Sequence, residues 1–251
     1  MDEVIVDPKG AWVRLVLNRP GARNALNTAM LGRLAELLEG FGADPACRAV
    51  MICGADGNFA AGADITEIAD KTSAQGAVDL RKRHWAAIRA FPKPLVAAVE
   101  GYALGGGFEL ALMADLVVLG AGAQIGLPET NLGLIPGAGG GQRLLALIGR
   151  ARAARMVLLG EIIGAEQAFD WGIGSHLAED AGTEAAMICE KLSRRAPLAM
   201  RAAKAAQLAY EHKVLALQEE RAGFEALLDT ADKTEGIAAF RAGRRAEFKG
   251  E

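Results

Sequence analysis

Two glutamates stand out by their company. Glu109 lies in the segment G-Y-A-L-G-G-G-F-E-L (101–110), among Phe108, Leu110, Ala111, Leu112 and Met113. Glu129 closes the segment I-G-L-P-E (125–129). An ionised carboxylate in apolar surroundings is costly unless it is paired or solvated by a site water, and such a group is suited to carrying a proton. Taken singly, Glu109 also suits the one wet face of a helix, and Glu129, directly after a proline, suits a helix start or loop.

Glycine-rich segments supply the matching donors. Gly105-Gly106-Gly107 opens the apolar run that carries Glu109. The first N–H groups of a helix have no intrahelical partner and can meet an anion or a developing oxyanion. F-A-A-G-A-D (59–64) follows the turn Asp56-Gly57-Asn58. Small residues there let a ligand approach the main chain closely enough for its N–H groups to donate, although a tight loop after a strand would look the same. A second such loop, G-L-I-P-G-A-G-G-G-Q-R (133–143), leads into a helix expected to begin near Arg143.

These segments need elements to hold them. Residues 12–17 (W-V-R-L-V-L) alternate around Arg14 and end at Asn18-Arg19-Pro20, the pattern of a strand and turn. From Asn27, a candidate N-cap with Thr28, the positions Met30, Leu31, Leu34, Leu37, Leu38 and Phe41 follow helical spacing. Residues 49–53, 95–99 and 116–119 read as short buried strands, and 84–91 as a helix stopped by Pro92 and Pro94. Helical periodicity returns at 152–159 and 184–192. After Pro197, which suits a first helical turn, the Ala-rich, charged chain reads as helix through Phe248. The expectation is therefore an α/β core over 1–195 and a helical module over 196–251, with strand–helix turns stacked side by side.

Composition bounds the class. The chain has 251 residues, 51% of them hydrophobic and 5% aromatic, with a net charge of -3. That profile is an ordinary globular one with no broad field to attract nucleic acid or an anionic membrane. No apolar run approaches the roughly 20 residues a bilayer span needs. The start Met1-Asp2-Glu3-Val4 is acidic and has no apolar signal core. Cys47, Cys53 and Cys189 are odd in number and lack metal-type spacing, so they read as buried thiols in a reducing, cytoplasmic compartment. His84, His176 and His212 lie far apart with no ligand spacing, so no metal site is expected. G-A-G-A-Q-I-G (120–126) lacks the spacing of a dinucleotide fingerprint, and Pro128 interrupts any helix after it.

Order and spacing of the four segments, with N-R-P-G-A-R-N-A-L-N (18–27) ahead of them, resemble the enoyl-CoA hydratase/isomerase (crotonase) family over essentially the whole chain. The resemblance implies an α/β, crotonase-type spiral of β-β-α turns with a C-terminal helical trimerisation region, the trimers pairing into hexamers. It places an oxyanion hole at the N–H groups of Ala63 and Gly106, and two catalytic glutamates at Glu109 and Glu129. Glu109 would orient and deprotonate the water added at Cβ, and Glu129 would deliver the proton to Cα. Gly137 would help hold that water through its N–H. Arg23, Ala61, Asp64 and Ile65 would line the CoA portion of an acyl-CoA substrate. No metal or redox cofactor is implied, since coenzyme A is part of the substrate.

The family pattern is not matched everywhere. Some hydratases carry a lysine two residues after the loop aspartate, where this chain has Thr66 followed by Glu67. Phosphate contacts would then fall to Arg23 or to Arg244 and Arg245. The stretch 84–94 and the C-terminal E-G-I-A-A-F…F-K-G are similar to hydratases of aerobic phenylacetate degradation, whose acyl chain ends in a carboxylate. Two other readings stand beside hydration. One is an isomerase that shifts the double bond in the same site, and the other is a non-catalytic assembly or RNA-binding protein, which loss of a glutamate or a strongly basic surface would favour.

Overall fold

The computed structural model describes residues 2–215 and 217–251, except for the side chains of Tyr210, His212, Lys213 and Val214. The readings of Met1 and of the His212 ring therefore lie outside the described residues.

The chain opens with strands β1 (Val4–Pro8) and β2 (Trp12–Leu17), followed by helix α1 (Thr28–Ala43) and strand β3 (Ala49–Gly54). Three short helices come next: α2 (Ile65–Ile68), α3 (Ser73–Ala77) and α4 (Arg81–Arg89). The centre holds β4 (Leu95–Val99), β5 (Tyr102–Leu104), α5 (Gly106–Ala111), β6 (Leu116–Gly120), β7 (Gln124–Gly126) and α6 (Gly140–Leu158). Then follow β8 (Ile162–Gly164), α7 (Ala165–Asp170), β9 (His176–Ala178) and α8 (Ala181–Ser193). The tail is α9 (Pro197–Val214), α10 (Leu217–Leu227) and α11 (Ala231–Ala242).

Six strands form one sheet in the order β1-β2-β3-β4-β6-β9, and β5-β7-β8 form a second. After the antiparallel β1–β2 pair, the large sheet runs parallel, with Val50 opposite Leu95 and Val96 opposite Leu116. Each central turn thus places its first strand in the large sheet and its second in the small one, then returns through a helix. The turn after β3 does the same in reduced form, where Ala60 bridges Ala103 of β5. This is the spiral of strand–strand–helix turns expected from the sequence, with helices gathered at the C-terminal end.

Burial on both faces explains the unbroken apolar strands. On β3 and β4, Val50, Ile52, Leu95, Ala97 and Val99 face the main core with α1 and α4. Their neighbours Ala49, Met51, Val96 and Ala98 face a second cluster roofed by Ala181, Ala185, Ile188 and Cys189 of α8. A third cluster joins Ile68, Leu134, Phe224 and Leu228, and so fastens α10 over the loops that lead to the site. Cys47 and Cys189 are buried and Cys53 is partly so, with burial raising the Cys53 and Cys189 thiols to about 11 and about 12.

Several boundaries differ from the sequence reading. Helix α6 starts at Gly140 rather than near Arg143. Glycine is a poor helix former, yet here the N–H groups of the Gly140 turn are engaged by carboxylates. The tail is not one continuous helical run to Phe248. Thr230 accepts from Lys233 N–H and starts α11 afresh, and Gly243, in the left-handed region at φ 63°, ends it. Residues 244–251 are non-helical and fold back, Lys249 N–H and Gly250 N–H donating to Asp232. Among the described residues, no helix is long and apolar enough to cross a membrane.

Candidate active site

A cavity of about 400 Å³ opens between the first glycine loop, α5, the segment around Glu129 and α10. Its lining brings together Ala61, Gly62, Ala63, Gly105, Gly106, Glu109 and Glu129. Most of the remaining wall is apolar, including Leu26, Ile65, Leu134, Ile135 and Phe224.

The two expected donors meet at its edge. A Cβ built on Gly106 would stand 3.3 Å from the Ala63 nitrogen, so these two amides are neighbours in space although 43 positions apart in sequence. Gly106 is the first residue of α5, so its N–H has no intrahelical acceptor. Around Ala63 the bonds Leu26 N–H to Gly62 O (2.8 Å) and Asp64 N–H to Leu26 O (2.9 Å) use the flanking peptides and leave the Ala63 N–H without a partner among the described residues. Gly105, at φ 48°, makes the turn that starts α5, and a Cβ there would lie 3.2 Å from Glu129 Oε1. Only glycine meets both demands.

Glu109 and Glu129 are held very differently. Glu109 is 4% exposed, and its Oε1 accepts from Ala138 N–H at 2.7 Å and Gly140 N–H at 2.9 Å. Burial raises its pKa, while these donors, the Arg143 guanidinium and the Gly137 N–H favour the ionised form. Glu129 has both carboxylate oxygens buried with no hydrogen-bond partner among the described residues. Burial first, and the negative charge of Glu109 second, push its pKa well above the usual carboxylate range. Both carboxyls are thus pushed toward the neutral form, Glu129 the further, and the two titrate as an interacting pair. An ionised acceptor and a protonated donor on one cavity can move two protons in opposite directions.

Other expected positions resolve individually. Arg23, Ala61, Ile65 and Gly137 line the cavity. Arg23 is exposed at the rim, with its guanidinium 5.5 Å from the Tyr102 ring centroid. The Asp64 side chain caps α2 by accepting from Thr66 N–H at 3.0 Å, and it pairs with Arg19 at 2.9 Å. That carboxylate builds the loop and is not part of the cavity lining. Glu67 accepts from Thr28 N–H at 2.9 Å and ties α2 to α1. Arg244 is paired with Glu235 at 2.6 Å.

Comparison with known proteins bears on what such a cavity serves. The family model described as Enoyl-CoA hydratase/isomerase matches residues 9–251. The chain belongs to the enoyl-CoA hydratase/isomerase family. Among its relatives, the 2,3-dehydroadipyl-CoA hydratase of Escherichia coli (strain K12) is 46% identical, with 100% of both chains covered. An enoyl-CoA hydratase/isomerase structure from Pseudoalteromonas atlantica T6c superposes with a TM-score of 0.90 at 28% identity, covering 99% of this chain and 100% of that one. A carnitinyl-CoA hydratase structure from Mycobacterium avium gives 0.88 at 34% identity, with 99% of each chain covered. The α/β crotonase fold, its β-β-α turns and its helical C-terminal region are thus shared with solved members of the family.

Sequence reasoning missed four residues of this crotonase site. Glu220, Arg221 and Phe224 arrive from α10, and Trp85 from α4. Trp85 is 8% exposed and packs into the core while also lining the cavity. Glu220 Oε2 accepts from Gln142 N–H at 3.0 Å, next to the peptides that hold Glu109. Glu219-Glu220-Arg221 carries no signal separating it from an ordinary solvated helix face.

Proposed function

We propose that the chain is an enoyl-CoA hydratase that adds water syn across a trans-2-enoyl-CoA to give a (3S)-3-hydroxyacyl-CoA. The observation that carries this reading is the pair of unequal buried carboxylates beside two free backbone N–H groups. The thioester oxygen accepts from Ala63 and Gly106, and the negative charge that grows on it in the transition state is stabilised by fixed dipoles in a water-poor site. One such donor contributes roughly 3–4 kcal/mol in comparable sites. Glu109, ionised and held at one oxygen by two amides, takes a proton from water as the water oxygen bonds to Cβ. Glu129 gives its proton to Cα. The product gains one water, and a proton passing from Glu109 back to Glu129 restores the starting state.

The same site supports the finer reading of an acyl chain ending in a carboxylate, as in 2,3-dehydroadipyl-CoA. Support comes from the 46% identity to a relative of that name over both full lengths. CoA lies along Arg23, Ala61 and Ile65 in this reading, with Arg23 the basic group nearest the rim.

The test is hydration of crotonyl-CoA, followed as loss of the conjugated thioester absorbance. Wild type is expected to turn over, and Glu109→Gln and Glu129→Gln each to lose two or more decades of kcat, in keeping with general acid–base help of roughly 10²–10⁴-fold. A product shifted in its double bond but lacking a hydroxyl would replace hydration by isomerisation. Inertness on crotonyl-CoA and on longer and dicarboxylic enoyl-CoAs alike would leave a non-catalytic role.

A further inference from the structure

The active-site cavity has a neighbour. A second cavity of about 470 Å³ lies beyond Trp85, and Trp85, Gly137, Ala138 and Arg221 line both. Its charged lining is Lys82, Arg89 and Arg221 against a single carboxylate, Glu225. That carboxylate is already shared, by Lys82 at 2.9 Å and Arg221 Nε at 2.7 Å.

Two guanidinium groups remain under-used. Among the described residues the Nη atoms of Arg221 reach Gly137 O at 3.5 Å and Gly76 O at 3.4 Å, the outer limit of hydrogen bonding, while the guanidinium lies 4.9 Å from the Phe224 ring centroid. Arg89 makes no ion pair or hydrogen bond among the described residues. The charges it feels are Arg143, of like sign, and Glu211, which Arg143 holds at 2.6 Å. By contrast Arg81, which lines the first cavity, is held in a two-point pair by Asp79 through Nε at 2.9 Å and Nη2 at 2.7 Å. An alkyl tail gains nothing from desolvated cations. An anionic tail gains charge-assisted hydrogen bonds, and guanidinium is the group best shaped to form them with a carboxylate.

We propose that this second cavity binds the terminal carboxylate of the acyl chain, with Arg89 and Arg221 as its donors and Lys82 as a third positive charge. The proposal rests on the hydratase reading and adds the residues that select the substrate. Phosphates of CoA are the other anions that could meet these groups, so the test holds CoA constant and varies only the tail. Two six-carbon substrates are compared, trans-2-hexenoyl-CoA and 2,3-dehydroadipyl-CoA, together with their saturated counterparts hexanoyl-CoA and adipyl-CoA as inhibitors.

Wild type is expected to favour the carboxylate-ended member of each pair by tenfold or more, in kcat/KM and in inhibition constant. Arg89→Gln is expected to cut that preference at least tenfold. Glu225→Gln, which releases Lys82 and Arg221 from their present partner, is expected to raise it. No preference in wild type, or a preference that survives Arg89→Gln in a protein of unchanged circular dichroism, would overturn the subsite. If no enoyl thioester is hydrated, crotonyl-CoA included, the hydratase reading falls. The adipyl-CoA against hexanoyl-CoA inhibition of coenzyme A thioester binding, followed then by calorimetry, still decides the subsite on its own.

Discussion

Glu220 and Glu109 compete for one helix end. Both accept from amides at the start of α6, Glu109 from Ala138 and Gly140 and Glu220 from Gln142. Two carboxylates there exceed what one helix terminus and one Arg143 can neutralise, so burial and the charge of Glu109 lift Glu220 to about 7. A carboxylate raised in the folded state binds its proton more tightly folded than unfolded. Its contribution to stability is full below the unfolded value near 4.5 and is lost as pH rises through about 7. Glu220→Gln, permanently neutral, should remove that loss. Thermal melts are expected to give similar Tm values for wild type and variant at pH 4.5, with the variant higher by a few degrees at pH 8, for about 1–2 kcal/mol. A variant that is no more stable at pH 8 would refute the competition. Glu109 and Glu129 were legible in the sequence because each sits in a glycine- and proline-marked apolar segment. Glu220 was not, because what buries it is a loop some 80 residues earlier in the chain.

At the scale of elements, a buried lysine does the work of a helix cap. Lys93, 7% exposed, donates from Nζ to Phe41 O, Asp44 O and Cys47 O at 2.6, 2.5 and 2.9 Å. These carbonyls lie at and beyond the end of α1, where the last turn lacks intrahelical donors. The same residue's carbonyl accepts from Lys204 of α9, which pairs with Asp115 at 2.8 Å. Thus α1, β4, β6 and α9 are joined through two ammonium groups. Lys93→Met would leave three carbonyls short of a donor, the Cys47 bond among them buried, and urea unfolding is expected to show a loss of about 1–3 kcal/mol. Because Lys93 is remote from the glutamates, kcat/KM for crotonyl-CoA at 25 °C should stay within a factor of two. A loss of activity without loss of stability would contradict this structural role. Strands of five or six residues, such as β2 and β4, were readable from their composition. The three-residue strands β5, β7, β8 and β9 were not, since each is defined by its ladder partner and not by any pattern of its own.

For the whole molecule, the helical tail is more than an appendage. The expected division at 195/196 follows sequence character, yet α10 sends Glu220 to the α6 terminus and Arg221 and Phe224 into the cavity wall. Large apolar side chains also remain uncovered: Leu158 and Leu159 at the end of α6, Leu198 on α9 and Phe240 on α11 are 71%, 74%, 77% and 62% exposed. Exposed apolar groups of this size on several helices are what a permanent subunit interface would cover. Phe240 lines the mouth of the active-site cavity as well, so a neighbour seated on α11 would close over bound substrate. The chain is therefore expected to sediment as an oligomer of its 26.2 kDa subunit. Leu159→Asp or Phe240→Asp would shift it toward monomer, and Phe240→Asp should raise KM for crotonyl-CoA more than it lowers kcat, because it opens the mouth without touching Glu109 or Glu129. A wild-type chain that sediments as a monomer at micromolar concentration would reject the interface. Monomeric variants with unaltered KM would separate assembly from the site.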